Sequence, residues 1–297
     1  MGSPSGILSS KTGVAGLSVL SNSLLIVIKL MAGIVTGSIS IVTEAIHSVL
    51  DLVAAVITLI TVRISGRPAD KDHPFGHGKA ESISGLVEAA LIFVAAVFIV
   101  SEAVLRIREG ADLKLTEVGI AVMLISVVVN ILVSRRLLKV ARTTDSIALE
   151  ADAAHLTTDV YTSASVLVGL IVVRLTGLTI LDAIVALAVL VLVVKAAYDI
   201  TRKSIAGLMD VKLPPEEEAL IRSCIEEHGG RVLGFHQMRT RKVGSQRHID
   251  LHLVMDGDIS LNDAHGMCDH LEEDIQSRLG DVSITIHVEP LSDDECP

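Results

Sequence analysis

The 297-residue chain is 50% hydrophobic, with a mean hydropathy of +0.60 and a formal net charge of −10. A soluble domain of this length is rarely so apolar, and an acid-rich chain does not offer the basic face that nucleic acid requires. Its three cysteines, Cys224, Cys268 and Cys296, are widely spaced and form no C-x-x-C, which argues against a disulfide framework and for a reducing compartment around the C-terminal part.

The apolar residues crowd positions 14–200, and the sequence from about 212 reads like a soluble protein. The expected fold class is an α-helical membrane protein with six transmembrane helices plus a cytoplasmic α+β domain, divided as 1–211 and 212–297. Met1 to Lys11 lacks a charged region followed by a cleavable apolar stretch, so no signal peptide is expected and the first span does the targeting. A bilayer core of ~30 Å needs about 20 apolar residues in a helix. Six segments meet that length, at about 14–35, 39–63, 82–106, 115–134, 147–174 and 178–201. Gly and Ser are frequent in the first three, which suits close helix packing in lipid. Lys11, Arg63, Arg67, Lys71, Lys79, Arg135, Arg136, Lys139, Arg142, Arg202 and Lys203 fall on one side, and Arg106, Arg108, Lys114 and Arg174 on the other. That bias predicts cytoplasmic termini.

The second span carries His47 and Asp51, the fifth His155 and Asp159. Residues i and i+4 share a helix face, so each pair offers one imidazole nitrogen and one carboxylate oxygen to the same spot. Two such helices together supply N2O2, the four-ligand set that Zn²⁺ favours. An Asp at the centre of a lipid-embedded helix costs about 2.5–3.5 kcal/mol on insertion scales, so these residues need a compensating partner, a divalent cation or protons. Polar contact between helices with no ligand is the bland alternative. Glu44 and Asp152 each precede a histidine by one turn, either to orient its imidazole or to serve packing or entry. Lys29, well inside the first span, is expected to snorkel or to pair with a nearby acid.

Between the second and third spans, Asp70, His73 and His77 make a possible N2O metal site near the membrane surface, with glycines that let the backbone turn tightly. Incidental histidines in a hydrophilic loop are the competing reading. Past 212, Pro214 and Pro215 open a helix to about 228, ended by Gly229 and Gly230. Val232 to Thr240 and His248 to Met255 alternate as strands. Residues 260–279 form an amphipathic helix opened by Ser260 or Asn262, and Val282 to Val288 a last strand. The order α-β-β-α-β predicts a ferredoxin-like, metallochaperone-like sandwich with its helices on one face. His236, His252, His265, His287 and Glu289 are expected to converge on one or two metal ions, and His228, His248 and His270 to lie at the surface.

These features together resemble the cation diffusion facilitator family in its bacterial, zinc-type form. The resemblance rests on six spans, His-x-x-x-Asp in spans two and five, and the run Pro68-Ala69-Asp70 to His73-Pro74-Phe75-Gly76-His77-Gly78-Lys79-Ala80-Glu81, and covers nearly the whole chain. It implies a transport site of His47, Asp51, His155 and Asp159, a loop site of Asp70, His73 and His77, and a cytoplasmic site of His236, His252, His265 and His287. Glu289 stands there where some relatives carry Asp. It also implies a homodimer in which Lys79 and Asp210 form an interlocking charge pair. The ferrous-iron-efflux-like branch often has Asp at the position of His47, and members with His in both spans resemble the zinc-selective groups.

The expectation is a divalent cation efflux transporter of the cell inner membrane, exchanging zinc for protons by alternating access, with Zn²⁺ also a structural or regulatory ligand. Export of Fe²⁺, Co²⁺, Ni²⁺ or Cd²⁺ is the near alternative, and a non-transporting metal sensor or assembly protein the distant one. An enzyme is not expected: a zinc protease would show His-Glu-x-x-His or an open coordination position.

Overall fold

The computed structural model describes residues 9–37, 39–109, 117–176, 178 and 180–291. Lys114, Cys296, the first two residues of the fourth predicted span and the side chains of Arg106, Arg108 and Arg174 lie outside that description. The chain divides into two compact units, Met1–Ile205 and Ala206–Pro297.

The first unit is helical: α1 (Lys11–Thr36), α2 (Ile39–Ser65), α3 (Ala80–Glu109), α4 (Glu117–Thr144), α5 (Ile147–Thr176) and α6 (Ile180–Leu208). All six are long and apolar enough to cross a membrane, with mean hydropathy from 1.7 to 2.6 over their most apolar stretches. Ser10 caps α1 by accepting the Gly13 N–H at 3.1 Å, and Gly37 ends it in the left-handed region at φ 64°. Helix α1 packs on α2 and α4, α2 on α3 and α5, and α5 on α3 and α4. Ile92 and Ala96 of α3 meet Val193 and Ala197 of α6. Gly85 lets α3 and α6 touch, since a Cβ there would stand 2.3 Å from Ser204 Oγ.

Helix α4 runs ten residues past the predicted end of the fourth span. Lipid length governs hydropathy, but nothing stops a helix at the membrane border. The extension presents Arg135, Arg136, Lys139 and Arg142 while burying Leu137, Val140 and Ala141. Those three join Val14 of α1, Val62 of α2 and Leu149 and Leu156 of α5 in an aliphatic layer. The same end of the unit holds a polar knot. Glu81, 1% exposed, accepts Lys11 Nζ at 3.0 Å, Ser65 Oγ at 2.9 Å and Ser146 Oγ at 2.6 Å.

The second unit has the order α7 (Pro215–Glu227), β1 (Val232–Val243), β2 (Gln246–Met255), α8 (Leu261–Leu279) and β3 (Val282–Pro290). Ser260 is the residue that caps α8, accepting the Asp263 N–H at 3.1 Å. Strand β2 is central, antiparallel to β1 and parallel to β3. Its alternate residues Ile249, Leu251, Leu253 and Met255 face Ile221, Cys224 and Ile225 of α7 and Ala264, Cys268, Leu271 and Ile275 of α8. Both helices therefore cover one face of the sheet, and the period-2 alternation of the strands sends the intervening residues to the other.

Candidate metal-transport site

In the first unit, α2 and α5 bring their pairs together. Ligand atoms of His47, Asp51 and Asp159 lie within 4.8 Å of one another, and His155 Nε2 stands 3.3 Å from Asp51 Oδ1. Ligands bound to zinc at about 2.0–2.1 Å sit roughly 3.3 Å apart on a tetrahedron, so the His155–Asp51 spacing already matches one edge. The group borders a cavity of about 520 Å³ whose lining includes Lys29, Glu44, Asn130 and Phe98. The lining comes from the middle of α1 and α5, the late part of α3 and the early part of α2, α4 and α6. The cavity thus runs from the middle of the unit into the half away from Lys11, while the aliphatic layer and the Glu81 knot lie in the other half.

The surrounding charges sort the residues flanking the histidines. Lys29 does not snorkel: its ammonium, 6% exposed, donates to Glu44 Oε1 at 3.0 Å and Ser48 Oγ at 2.7 Å. Asp152 accepts the Ser18 hydroxyl at 3.2 Å. The residue against the His155 ring is Glu88 of α3, whose Oε2 lies 3.3 Å from His155 Nδ1. Sequence reading had not singled out Glu88. The available signal was an acid inside the apolar run of the third span, where it is as costly as Asp51.

In the loop before α3, Asp70 Oδ1 accepts the N–H groups of Asp72 and His73 at 3.0 and 2.7 Å. His73 Nδ1 lies 3.1 Å from Asp70 Oδ1 and His77 Nε2 3.2 Å from Asp70 Oδ2. Gly76, at φ 77°, turns the chain so that both rings face the same carboxylate. The backbone N–H of His73, its ring and the N–H of Asp72 together hold the Asp70 carboxyl below its ordinary range. One carboxylate and two imidazoles make a borderline-hard donor set suited to zinc.

In the second unit, His236, His252 and His287 form one row across the three strands, because His236 is paired with His252 and His252 with His287. Glu289, two residues along β3, points to the same face. Its Oε2 lies 3.0 Å from His236 Nε2, and its Oε1 2.7 Å from His252 Nδ1 and 3.4 Å from His287 Nε2. Burial pushes the Glu289 carboxyl up, but hydrogen bonds and charge from His252 and His236 outweigh it and hold the group below its ordinary range. His265 is not brought to this cluster. It sits on α8, exposed, 3.7 Å from Asp269, and α8 covers the opposite face of the sheet. His248 is buried rather than at the surface, beside its cross-strand neighbour Arg241 of β1, and burial followed by the Arg241 charge depresses its pKa. Asp210 lies 3.5 Å from Arg241.

Residues 16–209 match the cation efflux transmembrane domain, and residues 213–291 the cation efflux protein cytoplasmic domain. The chain belongs to the cation diffusion facilitator family. An uncharacterized transporter of Synechocystis sp. is 36% identical to it over 266 residues, 90% of this chain and 86% of that protein. Cation-efflux pump FieF of Pectobacterium atrosepticum is 34% identical over 268 residues, 90% and 89% of the two chains. Among solved structures, the metal-bound C-terminal domain of the CzcD transporter from Thermotoga maritima is 29% identical and aligns over 28% of this chain and 100% of its own, with a TM-score of 0.25. As a member of this family the protein is a multi-pass cation efflux transporter, and its second unit is the family's cytoplasmic domain.

Proposed function

We propose that this facilitator exports zinc in exchange for protons, as a homodimer in the cell inner membrane with both termini in the cytoplasm. The observation that carries the reading is the gathering of His47, Asp51 and Asp159 with His155 against Asp51, at a cavity between helices. Two imidazoles and two carboxylates suit Zn²⁺ better than harder ions, which prefer all-oxygen sets. Zinc enters from the cytoplasm, sheds water and binds the four side chains. The helices then rearrange and open the far side. Protons compete for the same imidazoles and carboxylates, release the metal, and leave to the cytoplasm on the return. Histidine fits this exchange because it titrates near neutrality and ligates only when its metal-facing nitrogen is deprotonated. A cavity that runs from the middle of the helical unit into the half away from Lys11 corresponds to the releasing state.

Zinc also fits the two outer sites. Asp70, His73 and His77 would hold one ion at the loop, and His236, His252, His287 and Glu289 one or two in the cytoplasmic domain, where occupancy would tighten the dimer. Lys79 and Asp210 are assigned to the dimer interface as a charge pair, and Lys79→Ala is expected to lower the dimer fraction in detergent.

Zinc flux into proteoliposomes tests the proposal. Asp51→Ala and Asp159→Ala are each expected to abolish it, and undiminished flux in either would remove the site assignment. Flux indifferent to an imposed pH gradient would remove the antiport. Replacing His47 by Asp, the residue of the iron-type branch, should shift preference from Zn²⁺ toward Fe²⁺. An unchanged ratio would remove His47 as the residue that sets the choice, and a wild-type preference for Fe²⁺, Co²⁺, Ni²⁺ or Cd²⁺ over Zn²⁺ would change the cargo.

A further inference from the structure

Resting on the transport-site reading, we infer that Glu88 is the positioning residue of His155, setting which ring nitrogen meets the metal. Glu88 is 0% exposed in the third turn of α3, so its carboxylate is shut off from bulk solvent. Its Oε1 accepts the Thr58 hydroxyl of α2 at 3.0 Å. Its Oε2 lies 3.3 Å from His155 Nδ1, an ion-pair distance without hydrogen-bond alignment, and neither of those two buried atoms has a hydrogen-bond partner among the described residues. The opposite nitrogen, Nε2, points at Asp51.

An imidazole that offers Nδ1–H to a carboxylate keeps its lone pair on Nε2, and the carboxylate raises the donor strength of that lone pair. Glu88 therefore selects the tautomer in which His155 can ligate at the Asp51 side. Thr58 holds the carboxylate in turn, so that α2, which carries His47 and Asp51, and α3 fix the orientation of a ligand on α5. Neither Glu44 nor Asp152 is in ion-pair contact with the His155 ring among the described residues: Glu44 pairs with Lys29, and Asp152 Oδ1 accepts Ser18. Glu88 need not touch the metal.

The test is zinc transport in proteoliposomes by full-length wild type, Glu88→Gln, Glu88→Ala and Thr58→Val, with Asp51→Ala alongside. Glu88→Gln keeps the shape and an acceptor oxygen but loses the charge, so its KM for zinc is expected to rise by about tenfold or more while the maximal rate at saturating zinc stays near wild type. Glu88→Ala should raise KM further, and Thr58→Val by less. A merely structural Glu88 would lower the yield of folded protein and the maximal rate without moving KM. Wild-type KM in Glu88→Gln overturns the inference. Should that variant not be recovered folded, wild-type KM in Thr58→Val overturns it instead. The Asp51→Ala arm separates the two claims: full transport there removes the transport site itself, whereas its loss alongside an unchanged KM in Glu88→Gln removes only the role of Glu88.

Discussion

The Lys29–Glu44 pair is asymmetric, and that decides which partner matters more. The Lys29 side chain is 6% exposed and that of Glu44 48%. Deleting Glu44 leaves a buried ammonium with Ser48 as its one remaining hydrogen-bond partner among the described residues, whereas deleting Lys29 leaves a carboxylate that lines the cavity. Breaking a fully buried pair costs about 3–5 kcal/mol, and half-exposure of one partner reduces that toward roughly 1–2 kcal/mol. Glu44→Ala is therefore expected to lower the thermal midpoint of the purified protein more than Lys29→Met does, and equal midpoints would contradict the asymmetry. At this scale the sequence was legible where a residue stands out by spacing. His47, Asp51, His155 and Asp159 were found by their i,i+4 repeat, and the structure does bring His155 to Asp51. Partnerships across helices were not legible. Nothing in the order of residues says that Glu44 turns to Lys29, that Asp152 turns to Ser18, or that Glu88 of another span stands against His155.

Between elements, the clearest pairing is the clamp joining α7 to α8. Arg278 donates to both carboxylate oxygens of Glu227, at 3.0 and 2.5 Å, and Ser223 adds a third hydrogen bond. The Arg278 bonds, then that of Ser223, lower the Glu227 pKa from 4.5 to about 2. A folded-state value below the unfolded one means the contribution is complete above the unfolded pKa and fades as acid protonates the folded carboxylate. Hydrogen exchange of α7 in the full-length protein should thus separate wild type from Arg278→Ala by a constant protection above about pH 4.5. The gap should close from there toward pH 2, and a gap that widens with acid would contradict the clamp. Element order and strand face were readable because alternation in β2 and most of β3 has period 2, whereas β1 breaks it at two register shifts. Ends were less so. The extra ten residues of α4 lie outside lipid length, and the burial of His248 beside its cross-strand neighbour Arg241 is a tertiary feature. His265 lies on the helix expected for it, but that helix covers the face of the sheet opposite the histidine row.

For the molecule as a whole, the division into a lipid-compatible helical unit and a polar α+β unit follows from hydropathy alone. Which half of the helical unit holds the open cavity could not be read that way, because apolar layers and cavity walls use the same residues. Leu50 lines the cavity and Leu137 lies in the closing layer. In a chain whose own cysteines are replaced by Ser, Leu50→Cys should react with a membrane-impermeant thiol reagent faster from the face away from Lys11. Leu137→Cys should resist reagent from that face, and the reverse pattern would place the opening on the other side. The Glu81 knot bears on how the chain can be trimmed. Its one cationic partner, Lys11, is the first residue of α1 and follows directly on the Ser10 cap. Removing residues 1–8 leaves both contacts in place. Removing three more takes the cap and strands a buried carboxylate with two serine hydroxyls, so the N-terminal boundary for truncation or tag fusion falls between Leu8 and Lys11, and membrane yield should drop sharply across it.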